Sequence, residues 1–202
     1  MAEPRKAPAC TRNREPIFAV LERVLPASGL ILEIASGTGE HAAYMAPKLP
    51  GWIWQPSDLK SDALHNIDAH ARESGCTNIR PAIAVDVRDA RWPVTRADTV
   101  FCCNMIHIAP WDAAEGLFAG AALVLPAGAP LILYGPFQRY GAHTAQSNAA
   151  FDEDLKARNP RWGVRCLDSE VTPLARSLGF SRDEIVEMPA NNLTVKIGRA
   201  HV

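Results

Sequence analysis

The 202-residue chain has no apolar run of the ~18 residues that a membrane-spanning helix needs. The longest candidate, Phe118 to Tyr134, is interrupted by Gly120, Pro126, Gly128 and Pro130. The opening stretch MAEPRKAPACTRNREP carries charge but no apolar segment of the signal-peptide kind, so the expectation is a cytoplasmic protein with no membrane partner. A surplus of one charge is also missing: 21 Lys and Arg stand against 22 Asp and Glu, for a net charge of -1. That balance leaves no basic footprint, and no nucleic-acid partner is expected. Cysteine is sparse. Cys10, Cys76, Cys102, Cys103 and Cys166 are odd in number and irregular in spacing, with no C-x-x-C pair. This argues against a disulfide framework and against a structural metal site. What is present is globular: 48% hydrophobic and 21% charged residues, in a length that suits a single domain with a real core.

The order of elements narrows the fold. Residues 1–11 read as frayed, and Asn13 to Leu25 as a helix with Ile17, Val20, Leu21 and Val24 at helical spacing. Leu30 to Ala35 is a short apolar run broken only by Glu33, the pattern of a buried parallel strand. Further strands are expected at Trp52 to Gln55, within Ile79 to Val87, at Asp98 to Asn104 and at Pro130 to Tyr134. Helices are expected at Glu40 to Leu49, Ser61 to Ser74 with Ser61 or Asp62 as cap, and Trp111 to Leu125. A polar stretch, 138–168, holds a helix near Asn148 to Ala157. A helix from Val171 to Leu178 and two strands joined as a hairpin, Ser181 to Met188 and Asn192 to Gly198, finish the chain. Such alternation predicts an α/β sheet wound on both faces. Its ligand belongs at the strand ends beside the first strand. Cys102 and Cys103 fall inside a predicted buried strand and read as packing groups.

The segment LILEIASGTGEHA, residues 30–42, carries the chemistry. Gly37 and Gly39 permit a tight turn and a close backbone approach to a ligand. With Ala42 they also satisfy G-x-G-x-x-A, a dinucleotide fingerprint. Glu33 speaks against a dinucleotide: its carboxylate would repel a pyrophosphate but welcome the ammonium of S-adenosylmethionine. Asp58, closing the second strand, suits a ribose. Asp86, closing the third, lies where an adenine amino group is held. Asn104, closing the fourth, offers its carbonyl to the amino-acid end of the donor.

Together, RNREPI (12–17), LEIASGTGEHA (32–42), WQPSD (54–58), NMIHIAPW (104–111), YGPF (134–137), SNAAFDEDLKARNPRWGVR (147–165) and EMPANNL (187–193) resemble the DUF938, methyltransferase-like 26 family. The resemblance covers nearly the whole chain, although Glu40 stands where Gln is more often expected. It implies a single-domain, Rossmann-like class I methyltransferase fold. That fold has a seven-stranded, mostly parallel sheet of order 3-2-1-4-5-7-6 with an antiparallel last strand. It implies S-adenosylmethionine as cofactor. The donor site then comprises Asn13, Arg14, Glu33, Ser36 and Gly37, together with Gly39, Asp58, Asp86, Val87 and Asn104.

On the acceptor side, His107 is the candidate that orients or deprotonates the substrate; its alternative is a histidine that holds the loop from behind without touching the substrate. Trp111, Tyr134, Tyr140, Asn148, Trp162 and Asn191 are the candidate substrate contacts. The stretch 138–168 reads as a lid, with a solvated insertion as the alternative. No N-P-P-[FYW] segment is present, which weakens a nucleic-acid acceptor. The reading is a methyltransferase acting on a small molecule, set against a catalytically silent binding protein of the same fold and, less favoured, a nicotinamide oxidoreductase. The acceptor's identity and the oligomeric state are not legible in the sequence.

Overall fold

A computed structural model of the chain describes residues 4–200, and the side chains of 182 and 183 are not described. Two elements open it: α1 (Pro8–Val24) and β1 (Gly29–Ile34). They are followed by α2 (Glu40–Met45), β2 (Trp52–Asp58), α3 (Ser61–Ser74) and β3 (Ile83–Ala84). Next come β4 (Thr99–Cys103), α4 (Trp111–Val124), β5 (Pro130–Gly135) and a small ribbon, β6 (Gln138–Arg139) with β7 (Ala142–His143). The chain ends with α5 (Gln146–Arg158), α6 (Thr172–Ser177), β8 (Phe180–Met188) and β9 (Asn192–Arg199).

Seven strands form one sheet in the order β3-β2-β1-β4-β5-β9-β8. Setting the ribbon aside, this is 3-2-1-4-5-7-6. All neighbours from β3 to β5 are parallel, and β9 runs antiparallel to both β5 and β8. Alternation along β1 divides the core between the two sheet faces. Leu32 and Ile34 join the cluster under α4 and α6 with Val100, Cys102 and Leu117. Ile31 joins Trp54, Phe101 and Ile132 beneath Ile17 and Leu21 of α1 and Met45 of α2. Glu33 has the phase of Ile31, so its carboxylate lies under α1 and α2 and not among aliphatic side chains alone.

Several expectations are corrected. Residues 8–11, read as frayed, form the first turn of α1, whose cap is Ala7 with Pro8 at the first position. Asn13 is therefore interior to the helix. Neither Ser61 nor Asp62 caps α3; that position is Lys60, with no side-chain bond. The third strand shrinks to two residues, plus a bridge between Trp54 and Ile79. Pro81 has no N–H to offer a ladder, and the Gln55 amide reaches its carbonyl instead, at 2.8 Å. The last helix is shorter than expected because Leu167–Val171 form a π-helical turn before α6. Among the described residues no helix is long and apolar enough to cross a membrane.

The bend after β1 is set by packing as much as by sequence. Gly39 has φ +85, and a Cβ there would sit 2.6 Å from the Ile67 Cα on α3. Gly39→Ala is expected to cost at least about 1–3 kcal/mol, since backbone strain and a backbone clash coincide. Chemical denaturation of the two proteins side by side checks this.

Candidate active site

The strand ends converge where β1 and β4 part company. Ala35 (φ 56), Gly37 (φ 61) and Gly39 (φ 85) place three left-handed residues within five. The turn is pinned from β2: the Gly37 N–H donates to Asp58 Oδ2 at 3.0 Å. Asp58 Oδ1 accepts from the Lys60 N–H at 3.1 Å, which fixes the carboxylate at the strand's end. Ser36 is buried and stitched to β2. Its N–H donates to the Ser57 carbonyl at 2.8 Å, and its Oγ accepts from the Ser57 N–H at 3.2 Å. It supports the bend and lines no cavity.

Two cavities open along these strand ends. The smaller, about 200 Å³, lies over the β1–β2–β3 half of the sheet. Ile34, Ala35, Asp58 and Leu59 line it, with Asp86 and Val87 after β3 and Met105, Ile108 and Trp162 on the opposite side. Its charged lining groups are Asp58, Asp86 and Arg88; the remainder is apolar. Arg88 grips Asp86 at 2.9 and 2.6 Å, and this hydrogen-bonded pairing holds the Asp86 carboxyl below its usual range.

The larger cavity, about 670 Å³, lies over the β4–β5–β9 half and shares Ile108 with the first. Asn104 at the end of β4, itself left-handed with φ 60, and Tyr134 on β5 form part of its wall. Arg12 and Asn13 reach it from α1, and Ser147, Asn148 and Phe151 from α5. Pro189 to Asn192, the turn joining β8 to β9, closes it. Ala190 and Asn191 are both left-handed there, with φ 57 and 58. Asn148 ties α5 to that turn, donating to the Asn191 carbonyl at 2.9 Å.

Glu33 lines neither cavity. It is 1% exposed, and its Oε2 accepts from the Trp54 indole at 2.8 Å. Its Oε1 lies 3.8 Å from His41 Nδ1, while His41 Nε2 meets Asn13 Oδ1 at 2.9 Å. Because the amide oxygen only accepts, the tautomer assigned to His41 carries its proton on Nε2. Burial pushes Glu33 up to about 7 and His41 down to about 4, so near neutral pH His41 is uncharged and the neutral form of Glu33 competes with its carboxylate. The chain Glu33–His41–Asn13 thus runs from the sheet interior to the wall of the larger cavity.

The other sequence candidates separate. Asp58, Asp86 and Val87 reach the smaller cavity; Asn13, Asn104, Tyr134, Asn148 and Asn191 reach the larger. Gly37 and Gly39 shape the bend. Arg14 turns away: its guanidinium stacks 4.4 Å above the Tyr44 ring in a separate surface groove. Two residues along a helix is about 200° of rotation, so Arg12 faces the cavity and Arg14 does not. Trp162 lines the smaller cavity instead of the acceptor side. Tyr140 is 81% exposed on the ribbon turn and touches neither cavity. Trp111 packs against the core with the Arg165 guanidinium 5.5 Å above its ring.

His107 is also removed from the cavities. It is 0% exposed, its Nδ1 accepts from the Arg165 N–H at 3.2 Å, and its ring packs edge-on against Phe137 at 4.8 Å. A Cβ on Gly135 would come within 2.5 Å of Nε2, so the ring fills the space that glycine leaves. Burial lowers His107 to about 3. It stands neutral at the β4 exit and lines neither cavity, and its Nε2 has no hydrogen-bond partner among the described residues. Arg12, Ala35, Ile108 and Asn192 line the cavities without having been singled out as site residues. Arg12 stood in the matched RNREPI segment, and helical phase is the signal that would have separated it from Arg14.

This sheet order, with an antiparallel hairpin closing one side and the site at the ends of the first strands, is the class I methyltransferase fold. The family described as "Protein of unknown function (DUF938)" matches residues 4–199, so the chain belongs to that family. Among solved structures, the chain is similar to human N-acetylserotonin methyltransferase in complex with S-adenosylmethionine. The TM-score is 0.79 at 13% identity, over 96% of this chain and 53% of that one. An O-methyltransferase family 2 protein from Planctomyces limnophilus, in complex with apigenin, gives 0.76 at 16% over 94% and 62%. A putative methyltransferase from Bacillus halodurans gives 0.72 at 15% over 91% and 99%. The chain thus spans about half to three-fifths of the length of the first two, and nearly all of the third.

The buried acid generates a pH signature. Glu33 lies at about 7 when folded against an ordinary 4.5, so its protonated form favours the fold. Its contribution is fully present below pH 4.5 and is lost as pH rises to about 7. Glu33→Gln keeps an acceptor for Trp54 and removes the titration. The variant is expected to gain on the native protein by up to about 3 kcal/mol between acidic and alkaline pH. Urea denaturation of both proteins at pH 4.5 and 8.5 reads that difference.

Proposed function

We propose that this protein is an S-adenosylmethionine-dependent methyltransferase that acts on a small-molecule acceptor. The observation that carries the reading is the pair of cavities meeting at Ile108, one narrow and flanked by strand-end carboxylates, the other wide and polar. The residues present fit the donor. Asp58 offers a carboxylate to two ribose hydroxyls and is held in place by its bonds from Gly37 and Lys60. Ile34, Leu59, Val87 and Met105 make an apolar slot for a purine, with Asp86 at its edge. Asn13 and Asn104, at the exit of β4, line the larger cavity, which meets the smaller one at Ile108. Bound there, S-adenosylmethionine supplies a methyl group made electrophilic by its sulfonium.

The chain's own part is then positional. Orienting a nucleophile in line with that carbon is worth up to ~7–11 kcal/mol in favourable cases. Ser147, Asn148 and Phe151 of α5 and the turn 189–192 roof the larger cavity, in keeping with the stretch 138–168 acting as an acceptor-side lid. The Glu33–His41–Asn13 chain keeps Asn13 turned to its task. A catalytically silent binding protein would keep the donor slot but release no labelled methyl group. The nicotinamide reading rests on the Gly37, Gly39, Ala42 spacing alone, and Ala42 is buried under α1, away from both cavities.

Melting with ligand tests the donor site. At 100 times its dissociation constant, S-adenosylhomocysteine is expected to add ~2.7 kcal/mol, a rise of roughly 5–10 °C for a domain of this size. NAD is expected to add nothing, and Asp58→Ala to lose most of the rise while keeping its far-ultraviolet dichroism. A shift with NAD and none with S-adenosylhomocysteine would overturn the assignment.

A further inference from the structure

The larger cavity has no base in it. Its titratable lining groups are Arg12 and Tyr134; every other polar lining group is an amide or the Ser147 hydroxyl. Burial pushes the Tyr134 phenol up to about 12, so it keeps its proton at neutral pH. The neighbouring elements supply no substitute. His107 is sealed behind Gly135, and His41 is bonded away to Asn13. Asp152 on α5 is occupied by the Val164 N–H at 2.7 Å and Lys156 Nζ at 2.6 Å, and it does not line the cavity. An acceptor whose reacting atom carries a proton near neutral pH, such as a phenol, alcohol or ammonium, needs a group to take it. No such group lines the cavity among the described residues.

One formal charge faces this space, and it is positive. Arg12 is exposed at the cavity wall and makes no ion pair among the described residues. Its charge favours the ionised Tyr134 phenol, against the larger effect of burial, and both side chains line the cavity. Asn191 and Asn192 stand on the turn that closes this side, held there by the left-handed backbone at 190 and 191. A cation with no carboxylate or base beside it in the lining describes a receptor for an anion.

We propose that the acceptor is a small carboxylic acid, bound as its carboxylate by Arg12 and methylated on a carboxylate oxygen. The proposal rests on the methyl-transfer reading and deepens it. A lone pair on the carboxylate oxygen forms the O–CH3 bond as the S–CH3 bond breaks. The bonding pair stays on sulfur, and the products are a methyl ester and a neutral thioether. No proton moves, because a carboxylic acid has lost its own well below pH 7. Positive sulfonium and negative carboxylate disappear together, a change that is easier the less water surrounds the two charges. Arg12 takes one oxygen and leaves the other free to react. The same guanidinium chemistry would suit the carboxylate of the donor, and the experiment separates these two sources.

The full chain is incubated with methyl-tritiated S-adenosylmethionine and a deproteinised low-mass metabolite extract, and the product is treated with mild alkali. The expected label is released as volatile methanol, the mark of an ester. Arg12→Gln is expected to raise the half-saturating extract concentration roughly 10- to 100-fold, the loss of one charge-assisted hydrogen bond. Its affinity for S-adenosylhomocysteine stays near the native value, and Arg12→Lys recovers part of the loss. Alkali-stable label would overturn the proposal, as would no label from a protein that still binds S-adenosylhomocysteine. So would an Arg12→Gln protein that loses S-adenosylhomocysteine affinity with an unchanged response to extract, since Arg12 would then serve the donor. Native protein that fails to bind S-adenosylhomocysteine would refute the donor reading itself.

Discussion

A carboxylate with almost no water around it organises the centre of this molecule. Glu33 stands at the last position of β1 on the face covered by α1 and α2, where the sheet would otherwise bury an aliphatic side chain. A lone charge there is prohibitively costly. The surroundings respond in two ways: an indole N–H from β2 bonds one oxygen, and burial raises the acid until its neutral form competes. His41 faces the other oxygen and hangs from Asn13 on α1. Four elements, β1, β2, α2 and α1, are thereby registered against one another around a single polar group. Buried polar contacts of this kind do little for net stability, yet they penalise every arrangement in which a partner is missing.

That registration reaches the cavities. With α1 held by Asn13, the next residue back, Arg12, is delivered to the wall of the larger cavity, while Arg14 is carried round to stack on Tyr44. The bend that follows Glu33 is fastened independently to β2, through the Gly37 N–H and the stitched pair Ser36 and Ser57. The smaller cavity therefore rests largely on strand ends, and the larger one adds α5 and the turn 189–192 from later in the chain.

Much of the fold was legible in the residues. The parallel strands appear as short apolar runs, since both faces are covered, and the antiparallel hairpin was bounded correctly within two residues at each end. The weakest strand, β3, was the one whose pairing is interrupted by Pro81 and replaced by the Gln55 side chain. The bend after β1 announced itself because left-handed backbone leaves a glycine signature. Ala35, equally left-handed, left none.

The sequence by itself determined the order of strands and helices, the tight bend after β1 and the carboxylates at the ends of β2 and β3. These follow from local periodicity and from backbone conformations that only certain residues adopt cheaply. Which polar side chains meet in one cavity was decided by the tertiary structure. Arg12 against Arg14 is a matter of helical phase relative to a distant sheet, and Trp162 against Tyr140 of how a long polar connection folds back. His107 is silenced by a glycine 28 residues further on that leaves its ring a sealed place. Burial, which sets both reach and protonation, is a property of the packed chain, and no stretch of neighbouring residues encodes it alone.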